Sequence, residues 1–284
     1  MIPAAFDYVA PTSIDDVVAA LAEHGEGAKV LAGGHSLLPL MKLRFAVPSV
    51  VVDIGRVDEL RGVTDGGDHL VIGAGTTHHE VVHDPLVREH CGLLAEATAM
   101  VGDAQVRHRG TIGGATAHGD SAGDLPAVAS ALDATFVAQG PGGRREIAAA
   151  DFFRGYLETA LAPDEVLVHV RVPKLDGSWG HAYEKFSRVA QAWAVVGVAA
   201  LVRRENGSVA EARIGLTNMG AVPVRASAAE DALAGADRTD DAIRAACQHA
   251  ADGTTPPADL SAQPDYRQHL ARVLSARAVA RAAG

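Results

Sequence analysis

Thr111-Ile112-Gly113-Gly114-Ala115-Thr116-Ala117-His118-Gly119-Asp120-Ser121-Ala122-Gly123-Asp124-Leu125-Pro126 is the stretch from which the chain is best read. Small side chains dominate it, and its Gly pair lets a backbone approach a neighbour closely or adopt positive φ. A second stretch upstream answers it: Ala32-Gly33-Gly34-His35-Ser36-Leu37-Leu38-Pro39, entered from the apolar Val30-Leu31. Two Gly-Gly loops ending in small polar residues predict a cradle of main-chain N–H groups for an anion such as a pyrophosphate. In that cradle Ala32, Gly33, Gly34, His35 and Ser36 form one side, and Thr111, Gly113, Gly114 and Ala115 the other. Neither loop has the Gly-x-Gly-x-x-Gly spacing of a dinucleotide fold or the Gly-x-x-x-x-Gly-Lys-Ser/Thr of a P-loop.

Together and in this order, the two loops resemble those of the FAD-binding medium subunits of the molybdenum hydroxylases, the family of xanthine dehydrogenase and aerobic carbon monoxide dehydrogenase. The similarity runs over essentially the whole chain, including Phe6-Asp7-Tyr8 and Pro11-Thr12-Ser13. The Ala-Gly-Gly-His-Ser-Leu-Leu-Pro loop is most similar to the carbon monoxide dehydrogenase branch, although the family usually has Gln where His35 stands. Gly119-Asp120-Ser121 departs from the family's more usual Ala-Asp-Pro.

The resemblance implies a mixed α+β chain whose first part is α/β. It implies a two-lobed, non-Rossmann FAD-binding domain of the PCMH or vanillyl-alcohol-oxidase type over residues 1–176, with lobes at 1–56 and 57–176. A smaller α+β domain of the carbon monoxide dehydrogenase flavoprotein type is expected over 177–284, with a three-stranded antiparallel sheet and helices. It further implies that Asp124 binds the cofactor's ribose or adenine end, and that His118 and Asp120 lie near the flavin. Leu167 would touch the flavin ring by its backbone, Lys185 by its side chain, and Trp193 would lie against the isoalloxazine. Val30, Leu31, Leu37, Ala117 and Met100 complete the implied contact set. Asp124 has a second reading from position alone, as the cap of the helix that follows it, and Lys185 one as a solvated strand residue.

Charge and composition bound the function independently. Lys and Arg number 25 against 35 Asp and Glu, a formal net charge of −10, which argues against nucleic acid or anionic lipid as a general partner. The chain holds two cysteines, Cys91 and Cys247, too few and too far apart for an iron–sulfur cluster or a disulfide framework. Cys247 shares helical spacing with Ile243 and Ala250 and reads as a buried thiol. His78, His79, His83 and His90 cluster in sequence, but without an acidic or thiolate partner at ligand spacing they predict no metal site. No catalytic base or nucleophile motif stands out. No signal sequence or membrane span is evident, so a cytoplasmic protein is expected, with the inner membrane face as a possible site of contact through its electron acceptor.

Periodicity predicts the elements. Ser13 caps a helix to about Glu23 with Ile14, Val17, Val18 and Leu21 inward; Lys29–Leu31 and Val50–Ile54 are strands. Leu70–Gly75 is a strand, Thr76 or Thr77 caps the next helix, and Leu93, Leu94, Ala97 and Val101 form a stripe that Gly102 ends. Ala134–Val137 and the alternating Val166–Val172 are strands, the latter with one face buried. Pro173–Gly180 is the boundary; beyond it come strands near 182–186, 195–202 and 212–216, then helices near 227–233, 240–251 and 266–281, with Asn218–Arg225 as an irregular connection.

These readings converge on an electron-transfer flavoprotein. By resemblance, FAD sits in this chain, a large subunit holds the molybdenum cofactor, and a small subunit holds [2Fe-2S] clusters, in a dimer of heterotrimers. Electrons would leave to an external acceptor, a quinone or a carrier. Substrate oxidation is not expected from this chain alone. Alternatives are the medium subunit of a related aldehyde, xanthine or N-heterocycle dehydrogenase and, from other classes, a stand-alone flavin oxidase or a redox-silent nucleotide-binding assembly protein.

Overall fold

A computed structural model describes residues 2–284. The chain opens with β1 (Asp7–Val9), α1 (Ile14–His24), β2 (Ala28–Leu31), α2 (Leu37–Lys42) and β3 (Val50–Asp53). Ser13 accepts the Asp16 N–H at the start of α1, and Ile14, Val17, Val18 and Leu21 are buried. The strands form a parallel sheet in the order β1-β3-β2. Parallel pairing forces a crossover between β2 and β3, and the first Gly-Gly loop is part of that crossover.

The second lobe holds β4 (Val63–Asp65), β5 (His69–Gly73), α3 (His78–His83), α4 (Pro85–His90), α5 (Gly92–Ala99), α6 (Ala104–Arg107), α7 (Ile112–Ala117), α8 (Asp124–Ala131), β6 (Thr135–Gly140), β7 (Gly143–Ala148), α9 (Ala149–Phe152), a small hairpin of β8 (Phe153–Gly155) and β9 (Glu158–Thr159), and β10 (Val166–Pro173). Its sheet is antiparallel, ordered β4-β5-β10-β6-β7. The sequence predicts β10 with one buried face, but both faces are buried at its start. Leu167, Val170 and Val172 face the large core under the helices, while Val166 and Val168 join α1 and the first lobe. The cause is the packing of α1 across β10 and β6, together with a register shift between Leu167 and His169.

The remaining chain forms β11 (Trp179–Phe186), β12 (Val196–Glu205), β13 (Ser208–Thr217), β14 (Val224–Arg225), α10 (Ser227–Leu233), α11 (Asp240–Ala246) and α12 (Pro264–Ala283). Its antiparallel sheet has four strands, β11-β12-β13-β14, not three. The extra strand pairs Val224 with Leu216 and Arg225 with Gly215; two residues are too few for a visible alternation. One face packs on α12 and α10, with α11 laid against those two helices, and the other on α5 and α8 of the preceding lobe.

Two further expectations are corrected, and one left between two residues is decided. Both Gly-Gly stretches contain short helices, α2 and α7. Pro39 therefore stands in the first turn of α2, where a missing N–H is tolerated, rather than closing a loop. The stripe ending at Gly102 stops earlier, at Ala99 with Met100 as its cap; Gly102 takes φ 51° two residues on. Thr77, not Thr76, caps α3, in a reciprocal box with Glu80.

Phe136 is fully buried, with its ring 4.0 Å from that of Phe152 and edge-on to Phe153. Phe136→Ala is expected to cost about 3–5 kcal/mol, read as a shift of the urea midpoint; an unchanged midpoint would contradict this core.

Candidate functional site

The two Gly-Gly segments meet. A side-chain carbon on Gly33 would overlap the Arg109 carbonyl and come within 2.7 Å of the Gly110 Cα, so the two backbones touch. Gly34 takes φ 79°, a conformation that favours glycine. Among the described residues, none of the main-chain N–H groups from Ala32 to Leu37 donates to another group of the chain. The Ser36 side chain does not cap α2, although Ser36 occupies the capping position. Six consecutive donors in a half-buried bend form the N–H cradle expected of the first loop.

The second segment behaves differently. Ile112 N–H donates to Thr76 O at 3.0 Å and Gly113 N–H to Ala74 O at 2.9 Å. Thr111 caps α7, its hydroxyl taking the Gly114 N–H at 3.0 Å and its carbonyl the Ala115 N–H at 3.0 Å. Gly113, Gly114 and Ala115 therefore spend their main-chain donors within the chain, while the Thr111 N–H and hydroxyl donate to no group of the described chain, so the second segment offers fewer donors than the first. Gly113 is needed because any side chain would strike Ala74, and a Cβ on Gly114 would come within 2.8 Å of the Thr111 hydroxyl and 3.5 Å of the Ala32 Cβ. The segment supplies a low wall facing the first loop. Ala117 packs partly against the second-lobe core.

His118 is half-buried, and burial holds its pKa below the usual imidazole value against the opposing charge of Asp120. Asp120 closes its own turn, accepting the Ala122 N–H at 2.9 Å. Gly119 O accepts the Leu157 N–H at 3.1 Å, which ties this turn to the β8–β9 hairpin. The Leu167 side chain lies in the core, so any exposed contact would have to come from its backbone. Val30 packs against the first-lobe core from β2, Leu31 and Leu37 are half-buried, and His35 is exposed.

Asp124 does not cap α8; Gly123 holds the capping position. Its carboxylate instead accepts the Tyr183 hydroxyl at 2.6 Å and the Lys185 ammonium at 2.8 Å. Both members of the ion pair are buried, with side chains 4% and 5% exposed, so Lys185 is not a solvated strand residue. Lys185 Nζ also donates to Met100 O at 3.1 Å. Burial lifts the Asp124 carboxyl above its usual range, while Lys185 and Tyr183 pull it back. Burial, and then the charge of Asp124, raises the Tyr183 phenol well above its usual value. Tyr183 is absent from the sequence-predicted set. Its signal is its spacing: residues 183 and 185 share one face of β11.

Trp193 lies between β11 and β12 and is 56% exposed. Gln191 Nε2 donates to Asp103 Oδ2 at 3.0 Å, bringing this loop down beside Met100 and α6. Its far end is held by Asn218 Nδ2, which donates to Ala194 O at 2.9 Å, and by the buried Arg267, which donates to Val195 O. Cys91 and Cys247 are both buried, with thiols pushed up to about 12 by desolvation. The ring of His79 stacks on His108 at 4.0 Å and lies 4.3 Å from that of His83. No group of three or more His, Cys, Asp or Glu side chains among the described residues forms a metal-ligand set.

A positive-φ bend of free N–H groups, walled by small residues, has the chemistry of an anion site, and the chain around it has the fold of a flavoprotein subunit. Residues 4–175 match the family described as the FAD binding domain in molybdopterin dehydrogenase, and residues 181–282 the CO dehydrogenase flavoprotein C-terminal domain. The chain belongs to this family of flavoprotein subunits. It is 43% identical to the carbon monoxide dehydrogenase medium chain of Hydrogenophaga pseudoflava, over 98% of this chain and 97% of that one. It is 38% identical to the medium chain of Afipia carboxidovorans, over 99% and 98%. A solved structure of the Hydrogenophaga pseudoflava carbon monoxide dehydrogenase, lacking the Mo-pyranopterin moiety of its molybdenum cofactor, matches with a TM-score of 0.97 at 45% identity, covering 99% of this chain and 98% of that chain.

Lys185→Met leaves the Asp124 carboxylate buried without its cation and is expected to destabilise the chain by about 3–5 kcal/mol near neutral pH. With its folded pKa then further above the unfolded value, the native state binds the extra proton, so the variant's stability falls as pH rises. Its deficit against wild type should shrink as the pH is lowered toward 4; a deficit independent of pH would contradict the buried pair.

Proposed function

We propose that this chain is the FAD-binding electron-transfer subunit of a molybdenum-containing hydroxylase, with carbon monoxide as the substrate of the complex. The observation that carries the flavin site is the run of unpaired N–H groups from Ala32 to Leu37. Two relatives that match nearly the whole chain, both carbon monoxide dehydrogenase medium chains, support the choice of substrate. FAD supplies the redox chemistry, accepting electrons and passing them on.

The chain's own residues bind and orient the cofactor. Ala32, Gly33, Gly34, His35 and Ser36, with Leu37 behind them, hold the diphosphate through main-chain N–H groups and the Ser36 hydroxyl. Val30 and Leu31 lead into that bend, and Thr111, Gly113, Gly114, Ala115 and Ala117 form the opposing wall. Asp120 and His118 shape the turn beside the flavin, Leu167 presents backbone to it, and Met100 and Trp193 flank the ring. An ammonium has three donors, and Lys185 commits two of them within the chain, to Asp124 and Met100. The third is available to stabilise negative charge on the flavin. We place the domain division at residue 176, with the second domain closing over the flavin.

The partners follow from what this chain lacks. Its two cysteines are buried and far apart in sequence and hold no cluster, so iron–sulfur clusters that feed the flavin would belong to another chain. A small iron–sulfur subunit and a large molybdenum subunit, in a dimer of heterotrimers, meet that need, with a quinone or carrier as acceptor. No described helix is long and apolar enough to cross a membrane; we place the complex in the cytoplasm, meeting its acceptor at the inner face of the membrane.

Gly114→Asp puts a carboxylate beside Ala32, where it competes with the diphosphate. The assembled complex should then lose nearly all its flavin absorbance, whereas Gly114→Ala, which has to displace the Thr111 hydroxyl but adds no charge, retains most of it. Equal flavin content in the Asp variant and wild type would contradict the site. Trp193→Ala should raise flavin fluorescence with little change in thermal midpoint, because an exposed Trp contributes little to the core. Unchanged fluorescence together with a steep loss of stability would place the indole in the core instead.

A further inference from the structure

The loop between β11 and β12, residues 187–195, is closed at its neck by the Val195 N–H, which donates to Phe186 O at 2.8 Å. Inside it the Ala192 N–H donates to Val189 O at 3.0 Å, and Gln191 reaches out to Asp103. The carbonyls at its end are taken by side chains from elsewhere in the fold. Asn218 Nδ2 donates to Ala194 O at 2.9 Å and to Val195 O at 3.4 Å, and the fully buried Arg267 also donates to Val195 O.

Asn218 reaches in two directions at once. It is buried, directly after the last residue of β13, and its main-chain N–H donates to Ser121 O at 2.7 Å. Ser121 lies within the turn that Asp120 closes onto the Ala122 N–H. The main chain of one residue therefore holds the turn after His118, and its side chain holds the end of the Trp193 loop. The residue type is specified twice. At position 218 φ is 63°, a conformation that favours glycine and, among residues with side chains, asparagine and aspartate. Both side-chain partners are carbonyl oxygens, which need a donor, so a carboxylate would be repelled and the amide must present its nitrogen. Asparagine meets both demands.

We infer that Asn218 is a positioning residue of the flavin face, holding the loop that bears Trp193 in fixed register with the turn that bears His118 and Asp120. The flavin face is the one proposed above, and the inference rests on it; the clamp itself is made of this chain's own atoms. Without the amide, the loop keeps its neck and its Gln191 tether, but its end is free to shift against the turn.

The test is amide exchange of the assembled complex prepared without flavin, together with flavin fluorescence of the loaded complex. Asn218→Gly keeps the positive φ and the main-chain N–H to Ser121 and removes only the side-chain donor. Asn206→Gly is the control, since Asn206 also has positive φ, 47°, but sits in the hairpin turn at the far end of β12 and β13. Asn218→Gly should speed exchange of the Ala192 and Val195 N–H groups about tenfold, the scale of one lost hydrogen bond. Asn206→Gly should leave them at the wild-type rate. With FAD bound, Asn218→Gly should raise flavin fluorescence, and should add nothing further in combination with Trp193→Ala. Equal exchange in the two glycine variants would overturn the inference. So would a fluorescence rise of the same size on the Trp193→Ala background. If Asn218→Gly fails to assemble, Asn218→Asp, which tolerates the same φ and lacks the donor, takes its place with the same outcomes. Trp193→Ala leaving the fluorescence at the wild-type level would instead overturn the proposed flavin face, and the exchange rates alone then decide the clamp.

Discussion

The Cα of Gly33 lies against the Arg109 carbonyl and the Cα of Gly110, with no room for a side chain between them. This contact joins the parallel sheet of the first lobe to the helices of the second at the mouth of the site. It fixes the bend from Ala32 to Leu37 in a shape where neighbouring N–H groups cannot reach carbonyls of their own chain. Main-chain donors left without a partner in the chain are open to an anion, which is the basis of the proposed diphosphate site. The opposite segment makes the reverse choice, spending its donors on Thr76, Ala74 and Thr111 to anchor α7 rigidly on the end of β5. On the function proposed above, the first segment binds the cofactor and the second sets the distance.

A second tie links the FAD-binding lobes to the C-terminal sheet. Asp124 at the start of α8 reaches Tyr183 and Lys185 on β11 within the buried seam, and Asn218 N–H donates to Ser121 O at 2.7 Å nearby. Breaking one partner strands a charge, so the seam is held in a single register. The loop bearing Trp193 rises from that same strand and is tied to Asp103 by its own Gln191.

The sequence makes legible those parts of the fold that repeat. The stripe of Ile14, Val17, Val18 and Leu21 and its Ser13 cap reappear in α1 residue for residue. Short elements without a period are invisible: β1, β14 and the β8–β9 hairpin have two or three residues each. The α7 helix hides behind its own glycines, which read as loop until Ala74 is seen to need the space. In the site, the Gly pairs are conspicuous, but which N–H groups remain free depends on β5 and the Thr76–Thr77 turn, which lie far away in sequence. Tyr183 and Asn218 were beyond reach for the same reason, since their meaning lies in burial and in long-range partners.

Amide hydrogen exchange of the segment from Ala32 to Leu37, with and without FAD in the assembled complex, tests the central claim most directly. Those six N–H groups have no partner within the described chain. They should exchange quickly in the flavin-free protein and become strongly protected when FAD binds, while Gly113 and Gly114 change little. Protection that does not respond to FAD, or that appears at Gly113 and Gly114 instead, would contradict the account.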